Sequence, residues 1–328
     1  MKAYVIEQPG GPEVLKLRDL ASPVPAPNEV KIRVRAFGLN RAETYLRAGK
    51  MGPITAPRVP GIEAVGEILA DPSGAYRVGQ RVATAMGGMQ FDRPGSYAEE
   101  VSVLRGNVID LDGTTLTWEE LAALPESYLT VWGALTKSLG IARGQTLLVR
   151  GATSSVGLAA VAYGKALGAH VIATTRSSQN AARLREVGAD EVVVDDGGVS
   201  EHVRRSFPEG IDAVLEVVGA SVVRDSIKAL KPFGAVSMIG LLGGPPVLEQ
   251  FNLAQDLPGA VRLNFFPSQL LGSPVLPLAD TPLKWVAERI ADGRIKSLRA
   301  QTFDFGDVPR AHALIESNRA IGKLVVRF

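Results

Sequence analysis

Between about residue 145 and residue 266 the chain alternates short apolar strand patterns with helix-length patterns, and this rhythm restricts the fold more than any other feature. Strands are predicted over 145–150, 170–175, 191–195, 211–218, 234–240 and 260–266, with helices over 155–168, 178–187, 199–207 and 221–231. Strands that alternate with helices build a parallel, doubly wound sheet with right-handed crossovers, because each helix must cross a face of the sheet before the next parallel strand can start.

The flanking sequence has a different texture. Before about Leu121 it reads as short strands broken by Gly/Pro turns. Over 29–37, Val30, Ile32, Val34 and Ala36 alternate with Lys31, Arg33 and Arg35, as in a half-buried strand. Asn40 opens a short amphipathic helix bearing Ala42, Tyr45 and Leu46, which ends near Gly49. Further strands are predicted over 61–69, 79–85 and 95–103. After Pro267 come helices near 279–292 and 308–317, then a terminal strand from Lys323 to Phe328. The expected fold class is therefore α/β, with a β-rich domain made of 1–122 and 267–328, interrupted by a Rossmann-type domain of 123–266.

Composition narrows the possible partners. The 36 basic and 34 acidic residues leave a net charge of +2 and form no long run of either sign, so neither nucleic acid nor an anionic membrane is expected as a partner. The uncharged stretch Leu263 to Ala279 is broken by Pro267, Pro274 and Pro277. It is also shorter than the about 20 apolar residues a membrane span requires. The N-terminus carries no apolar run resembling a signal peptide. Without cysteines there are no disulfides and no thiolate metal ligands, and the expected compartment is the cytoplasm.

The first predicted strand of the alternating region runs into GATSSVG, Gly151 to Gly157, and then an apolar helix. A tight turn there lets backbone N–H groups and a helix N-terminus face a pyrophosphate. The match to GxGxxG is degenerate, since Ala152, Ser154 and Ser155 stand where glycine is usual; its context in successive strand–helix units strengthens it. About 20 residues on, a site for NAD would place an acid against the ribose 2′-hydroxyl. Here the strand ends in Thr174, Thr175, Arg176, Ser177 and Ser178, and the first carboxylate is Glu186. A basic fork with hydroxyls and no acid suits a 2′-phosphate, so NADPH is the expected cofactor.

GLNRAETYLRAG (38–49), VPGIEAVGEI (59–68), GQRVATA (79–85), GSYAEEV (95–101), ESYLTVWGAL (126–135), GATSSVGLAA (151–160), GADEVVVDD (188–196) and GKLVV (322–326) occur in an order and spacing that resembles the quinone oxidoreductase branch of the medium-chain dehydrogenase/reductases. The resemblance spans nearly the whole chain and implies a GroES-like catalytic domain beside the Rossmann domain, with nicotinamide and substrate in a cleft. It implies that Asn40 and Tyr45 lie near the nicotinamide and substrate. Thr130, Ser154, Ser155, Val156, Thr175, Arg176, Ser177, Gly219, Gly240, Leu241, Phe265 and Lys323 would line the cofactor. Two positions depart from the branch: Met51 stands where a tyrosine often follows, and Ser154-Ser155 replace a glycine pair. Other roles suit these residues too: Asn40 as a helix N-cap, Tyr45 as a half-buried ring, Phe265 and Phe266 as edge-strand core, and Met51, Met86 and Met89 as apolar packing.

Zinc-using relatives place a histidine where this chain has Ile62, in Gly61-Ile62-Glu63, and His170, His202 and His312 match no ligand spacing. No zinc is expected, and Glu63 is expected to be a structural ion-pair partner. Without a Lewis acid, the basicity of the product oxygen decides the substrate. Reducing a plain ketone makes an alkoxide, whose conjugate acid resembles water at about 15.7. Reducing a quinone makes a phenolate, near 10 as in tyrosine, which asks the protein for about 8 kcal/mol less stabilisation. The leading expectation is NADPH-dependent quinone reduction, with donors from Tyr45, Asn40 or backbone N–H groups. The nearest alternative is reduction of an activated C=C bond in an enone, enal or acyl thioester. One of another class is a non-catalytic, crystallin-like nucleotide-binding protein. Residues 260–266 read as an uncovered edge strand, so a homodimer through that strand is expected.

Overall fold

The terminal strand Lys323–Arg327 returns to the start of the chain, pairing antiparallel with Glu29–Gly38. The computed structural model describes all of residues 1–328 and divides into two units, Met1–Leu129 with Gln269–Phe328, and Thr130–Ser268. The chain first passes from one to the other within helix Pro125–Trp132, later in sequence than the change of rhythm near Leu121.

In the first unit, Glu29–Gly38 is the hub. Val30, Ile32, Val34 and Ala36 are buried while Arg33 is exposed, as the alternation requires. The strand also pairs antiparallel with Glu63–Ala70 and Glu100–Leu104. The sheet continues through Arg81–Ala85 to Val108–Asp110, and beyond the terminal strand to Arg299–Asp304. Helix Arg41–Arg47 follows the hub strand, with Asn40 as its N-cap.

The second unit holds a parallel sheet in the order Glu191–Val194, His170–Thr175, Thr146–Arg150, Ile211–Glu216, Leu230–Met238, Arg262–Phe265. The first strand in sequence, Thr146–Arg150, lies inside the sheet, and the order reverses between it and Ile211–Glu216. That reversal opens a crevice beyond the strands' carboxyl ends, where doubly wound folds bind nucleotides. Leu147, Leu148, Val149, Val214 and Leu215 have no exposed surface, which explains why these strands read as unbroken apolar runs.

Several boundaries differ from the sequence reading. The helix expected over 221–231 stops at Lys228, and its last residues join a strand that begins at Leu230 rather than 234. Pro232 has no N–H and disfavours helix in the residue before it, while Leu230 pairs with Ile211. The strand expected from 95 begins at Glu100, because Gly95 and Tyr97 are bonded instead to the Val59 and Pro60 carbonyls. Helix Pro125–Trp132 and the π-helical turn Gly133–Ser138 have no counterpart in that reading. Nearly every residue from Leu121 to Leu135 is buried, so there is no polar face to reveal a helical period. The hairpin of Lys2–Val5 with Lys16–Asp19 also went unpredicted.

Candidate active site

In the second unit the predicted cofactor residues gather at the carboxyl ends of the parallel strands. Gly151 leaves Thr146–Arg150 with φ +84° and donates its N–H to Thr174 Oγ1 at 3.1 Å. Ser154 caps helix Ser155–Ala166: its Oγ accepts the Gly157 N–H and donates to the Gly151 carbonyl, each at 3.0 Å. A Cβ on Gly157 would lie 2.4 Å from the Gly151 oxygen, so only glycine lets this helix start so close to the strand. The Ser154 hydroxyl is thus spent on the cap. The helix carries no acidic residue in its first turn, which leaves its positive end open to an anion.

Thr175 ends the neighbouring strand. Its buried Oγ1 accepts from the Ser177 N–H and Asn180 Nδ2 and donates to the Ser177 carbonyl, at 3.0–3.2 Å. The Thr175 hydroxyl is thus committed to shaping the 175–180 loop. Arg176 stands exposed on that loop with no carboxylate partner, while Glu186 is bonded to Arg183 at 2.8 Å. Ser177 is half-buried beside it. Further across the sheet, Gly219 has φ +115°, and a Cβ on Gly240 would lie 2.0 Å from the Val217 oxygen, so these two loops meet backbone to backbone. Leu241 follows Gly240. Phe265 lies in register with Met238 at the sheet edge, 47% exposed, whereas Phe266 is buried against Gly133. Thr130 is buried in helix Pro125–Trp132.

The first unit holds Asn40, Tyr45 and Lys323. The Asn40 amide is fully committed: Nδ2 donates to Glu63 Oε1 at 2.8 Å and Glu43 Oε1 at 3.3 Å, and Oδ1 accepts from Lys323 Nζ at 2.5 Å. Its backbone N–H meets Glu43 Oε2 at 2.7 Å, closing the capping box. Lys323 Nζ also lies 2.6 Å from Glu63 Oε1, and neither side chain is exposed. Both Asn40 amide donors and its amide oxygen are thus engaged within the chain, and the Lys323 ammonium lies among protein acceptors. Burial alone would pull Lys323 down, but the Glu63 and Glu126 carboxylates outweigh it and hold its pKa above the usual value. Glu43 behaves oppositely. Burial pushes its carboxyl up to about 8; Lys323 opposes the shift and Glu63 adds to it.

Tyr45 is half-buried on helix Arg41–Arg47, with Lys50 Nζ 5.6 Å from its ring centroid. Its hydroxyl has no hydrogen-bond partner within the chain. Met86 and Met89 are buried, whereas Met51 is exposed. The donor set around Glu63 does not suit a metal ion: Ile62 offers no lone pair, and the carboxylate is already bonded to an ammonium.

Comparison with known proteins shows the family. Residues 26–130 match the family model described as alcohol dehydrogenase GroES-like domain, and residues 155–264 the model described as zinc-binding dehydrogenase. The quinone oxidoreductase of Pseudomonas aeruginosa is 31% identical over 97% of this chain and 96% of its own length. This chain belongs to the quinone oxidoreductase-like medium-chain dehydrogenase/reductases. As a member of that family it is an NAD(P)H-linked oxidoreductase, built from a GroES-like and a Rossmann domain. Among solved structures, the Escherichia coli quinone oxidoreductase complexed with NADPH is 25% identical, with a TM-score of 0.85 and 100% of both chains covered. A protein described as an NAD-dependent alcohol dehydrogenase is 27% identical, with a TM-score of 0.86 and the same coverage.

Of the charged residues buried in this quinone oxidoreductase-like chain, the sequence points to Glu63 as an ion-pair partner, and the structure pairs it with Lys323. It does not single out Glu43, Arg150 or Glu216, none of which has exposed surface. A signal was present for the last two: each is a lone charge in an otherwise apolar run, LLVR and AVLEVVG.

Proposed function

We propose that this oxidoreductase uses NADPH to reduce quinones. Cofactor preference rests on the loop after His170–Thr175, where an exposed, unpaired Arg176 stands in place of an acid. The protein structures with bound or named cofactors point both ways, toward NADPH in the Escherichia coli enzyme and NAD in the alcohol dehydrogenase. The chemistry at Arg176 favours the former. The residues fit the cofactor: the open end of helix Ser155–Ala166 suits the pyrophosphate, and the absence of side chains at Gly219 and Gly240 lets their two loops pack backbone to backbone beside it.

The observation that carries the substrate assignment is the saturated Asn40 amide. With it engaged, Tyr45 is the remaining side-chain donor of the predicted pair. One weak donor suffices for a phenolate-like oxygen but not for an alkoxide, so quinones suit this chain and plain ketones do not. NADPH, when bound, would supply the hydride; the chain's residues orient the acceptor, the Tyr45 hydroxyl donates a hydrogen bond to its oxygen, and the proton that completes the hydroquinone comes from solvent. A second reading, reduction of an activated C=C bond, is favoured by the same unpartnered hydroxyl, which is free to deliver a proton. The substrate is a small molecule in both readings. We place the enzyme in the cytoplasm as a homodimer joined at the edge strand Arg262–Phe265. No helix is long and apolar enough to cross a membrane.

The test is NADPH oxidation with quinones, with enones and with no acceptor, before and after chelation. Quinones should support turnover, simple ketones should not, and chelation should change nothing. Rapid enone reduction with every quinone inert would reject the quinone assignment in favour of the second reading. No turnover with any acceptor would point to a nucleotide-binding role alone.

A further inference from the structure

Glu216 closes strand Ile211–Glu216 at the crevice end of the sheet, and its side chain has no exposed surface. Its Oε1 accepts the backbone N–H of Val218 at 2.8 Å and of Gly219 at 3.1 Å. Its Oε2 accepts the Ser226 hydroxyl at 2.5 Å. Ser226 Oγ in turn receives Arg150 Nη1 at 3.0 Å. The Arg150 fork is fully used elsewhere: Nε and Nη2 grip Asp195 at 2.8 and 2.9 Å, and Nη1 also reaches Asp225 at 2.7 Å and the Val222 carbonyl at 3.1 Å. One carboxylate therefore holds the turn after its own strand and is itself braced, through Ser226, by a guanidinium at the end of the strand alongside.

That turn is the one against which the next crossover packs. Val218 O accepts the Gly243 N–H at 2.8 Å, and the Gly240 backbone lies against the Val217 carbonyl with no room for a Cβ. Fixing Val218 and Gly219 thus also fixes the 240–243 loop. We propose that the ionised Glu216 carboxylate is a positioning residue for the dinucleotide: it orders the Val217–Gly219 and Gly240–Leu241 loops without touching the ligand, and full cofactor affinity requires its negative charge. This rests on the reading that a nicotinamide dinucleotide binds at these loops.

The electrostatic setting makes that charge sensitive to pH. The groups facing Glu216 are Arg150 in register on Thr146–Arg150, Asp225 and Ser226 on helix Val223–Lys228, and Met238 in register on Leu230–Met238, with Asp195 on the far side of Arg150. Burial pushes the Glu216 carboxyl up to about 7, while Ser226, the two backbone N–H groups and Arg150 resist the shift. Hydrogen bonds to an ionised acceptor are roughly twice as strong as those to a neutral one. Protonating Glu216 therefore loosens both loops.

The experiment is a titration of the full-length enzyme with NADH across neutral pH; NADH is chosen because it lacks a 2′-phosphate that would titrate in the same range. Wild type should bind at least about tenfold more weakly on the acid side than on the alkaline side, the size expected for halving two charge-assisted bonds. Glu216→Gln should bind weakly at every pH, with a flat profile. Ser226→Ala removes a bond that favours the charged form, so its midpoint should move to higher pH even if the Gln variant does not fold. A folded Gln variant with wild-type affinity and profile would overturn the proposal. So would an unmoved midpoint in Ser226→Ala, or affinity that rises on acidification, which would mean that the charge merely repels the pyrophosphate. If wild type binds neither NADH nor NADPH, the cofactor reading itself fails, an outcome distinct from all of these.

Discussion

Lys323 Nζ lies 2.6 Å from Glu63 Oε1 with neither side chain reaching solvent, so the last strand of the chain is tied to an early one through a wholly buried ion pair. Such a pair is favourable only when its remaining hydrogen-bonding capacity is satisfied, because removing two charges from water costs several kcal/mol each. Much of that capacity is filled here. Glu63 also accepts from Asn40 Nδ2 and from the Glu126 N–H, both at 2.8 Å, and Lys323 also donates to Asn40 Oδ1 at 2.5 Å. The Asn40 amide links the two charges, with both of its donors and its oxygen used inside the chain.

Removing one partner should be far more damaging than removing both. Lys323→Met leaves the Glu63 charge and the Asn40 oxygen buried without their cation, and the expected cost is about 3–5 kcal/mol in urea denaturation. Adding Glu63→Gln to that variant should recover part of the loss. A single-variant cost below about 1 kcal/mol, the range of a surface pair, would contradict this account.

Glu43 gives the same cluster a pH signature. Its carboxyl rises from an ordinary 4.5 to about 8 in the folded state, so the folded chain holds this proton more tightly than the unfolded one. The associated stability is fully present below 4.5 and is lost as pH rises through about 8. Glu43→Gln carries no such proton. The stability difference, wild type minus variant, should therefore fall steadily between pH 4.5 and 8 in denaturation curves. A difference that stays constant across that window would show that Glu43 is ionised throughout.

The periodic parts of this molecule were legible in the sequence, and of the buried charges only the pairing role of Glu63 was. Residues 29–37 and the six parallel strands announced themselves through alternation or apolar runs, because one or both faces of each strand pack into a core. Helix Pro125–Trp132 gave no period because it is buried all round. At the site, the turn at Gly151 and the missing acid near Arg176 could be read locally. The fate of the Asn40 amide could not, since its partners Glu63 and Lys323 lie 23 and 283 residues away. Sequence neighbours show the N-cap; only the fold shows that both amide donors are taken.

Arg176 carries the cofactor prediction. A charge-assisted contact to a 2′-phosphate should be lost in Arg176→Ala, weakening NADPH roughly ten- to a hundredfold and leaving NADH nearly unchanged. Direct titration of both cofactors against both proteins measures this. Equal losses for the two cofactors, or a wild-type preference for NADH, would sink the assignment.

Strand Arg262–Phe265 ends the six-stranded sheet with one side unpaired, and Phe265 is 47% exposed on it. An uncovered edge bearing apolar side chains invites a second strand, and pairing with its own symmetry mate would close the contact across a twofold axis. Light scattering should find a dimer at micromolar concentration. Leu263→Pro removes a donor from the edge and should shift the population toward monomer or aggregate. A monomeric wild type would reject the proposal.

Tyr45 discriminates between the two readings of the reaction. Its hydroxyl has no partner in the chain, and the neighbouring Asn40 amide is spent, so this phenol is the side-chain donor left to an acceptor oxygen. With a quinone the developing oxyanion has a conjugate acid near 10, close to tyrosine itself, and gains little from one neutral donor. Tyr45→Phe should therefore lower quinone turnover only modestly, by less than about tenfold. An enolate is more basic, and a carbon must also be protonated, so enone turnover should fall by roughly a hundredfold or more with the same change. The comparison is made at saturating NADPH, so that a shift in cofactor binding cannot imitate a chemical effect. Equal losses with the two substrate classes would mean that Tyr45 only packs, and that backbone N–H groups serve the substrate oxygen.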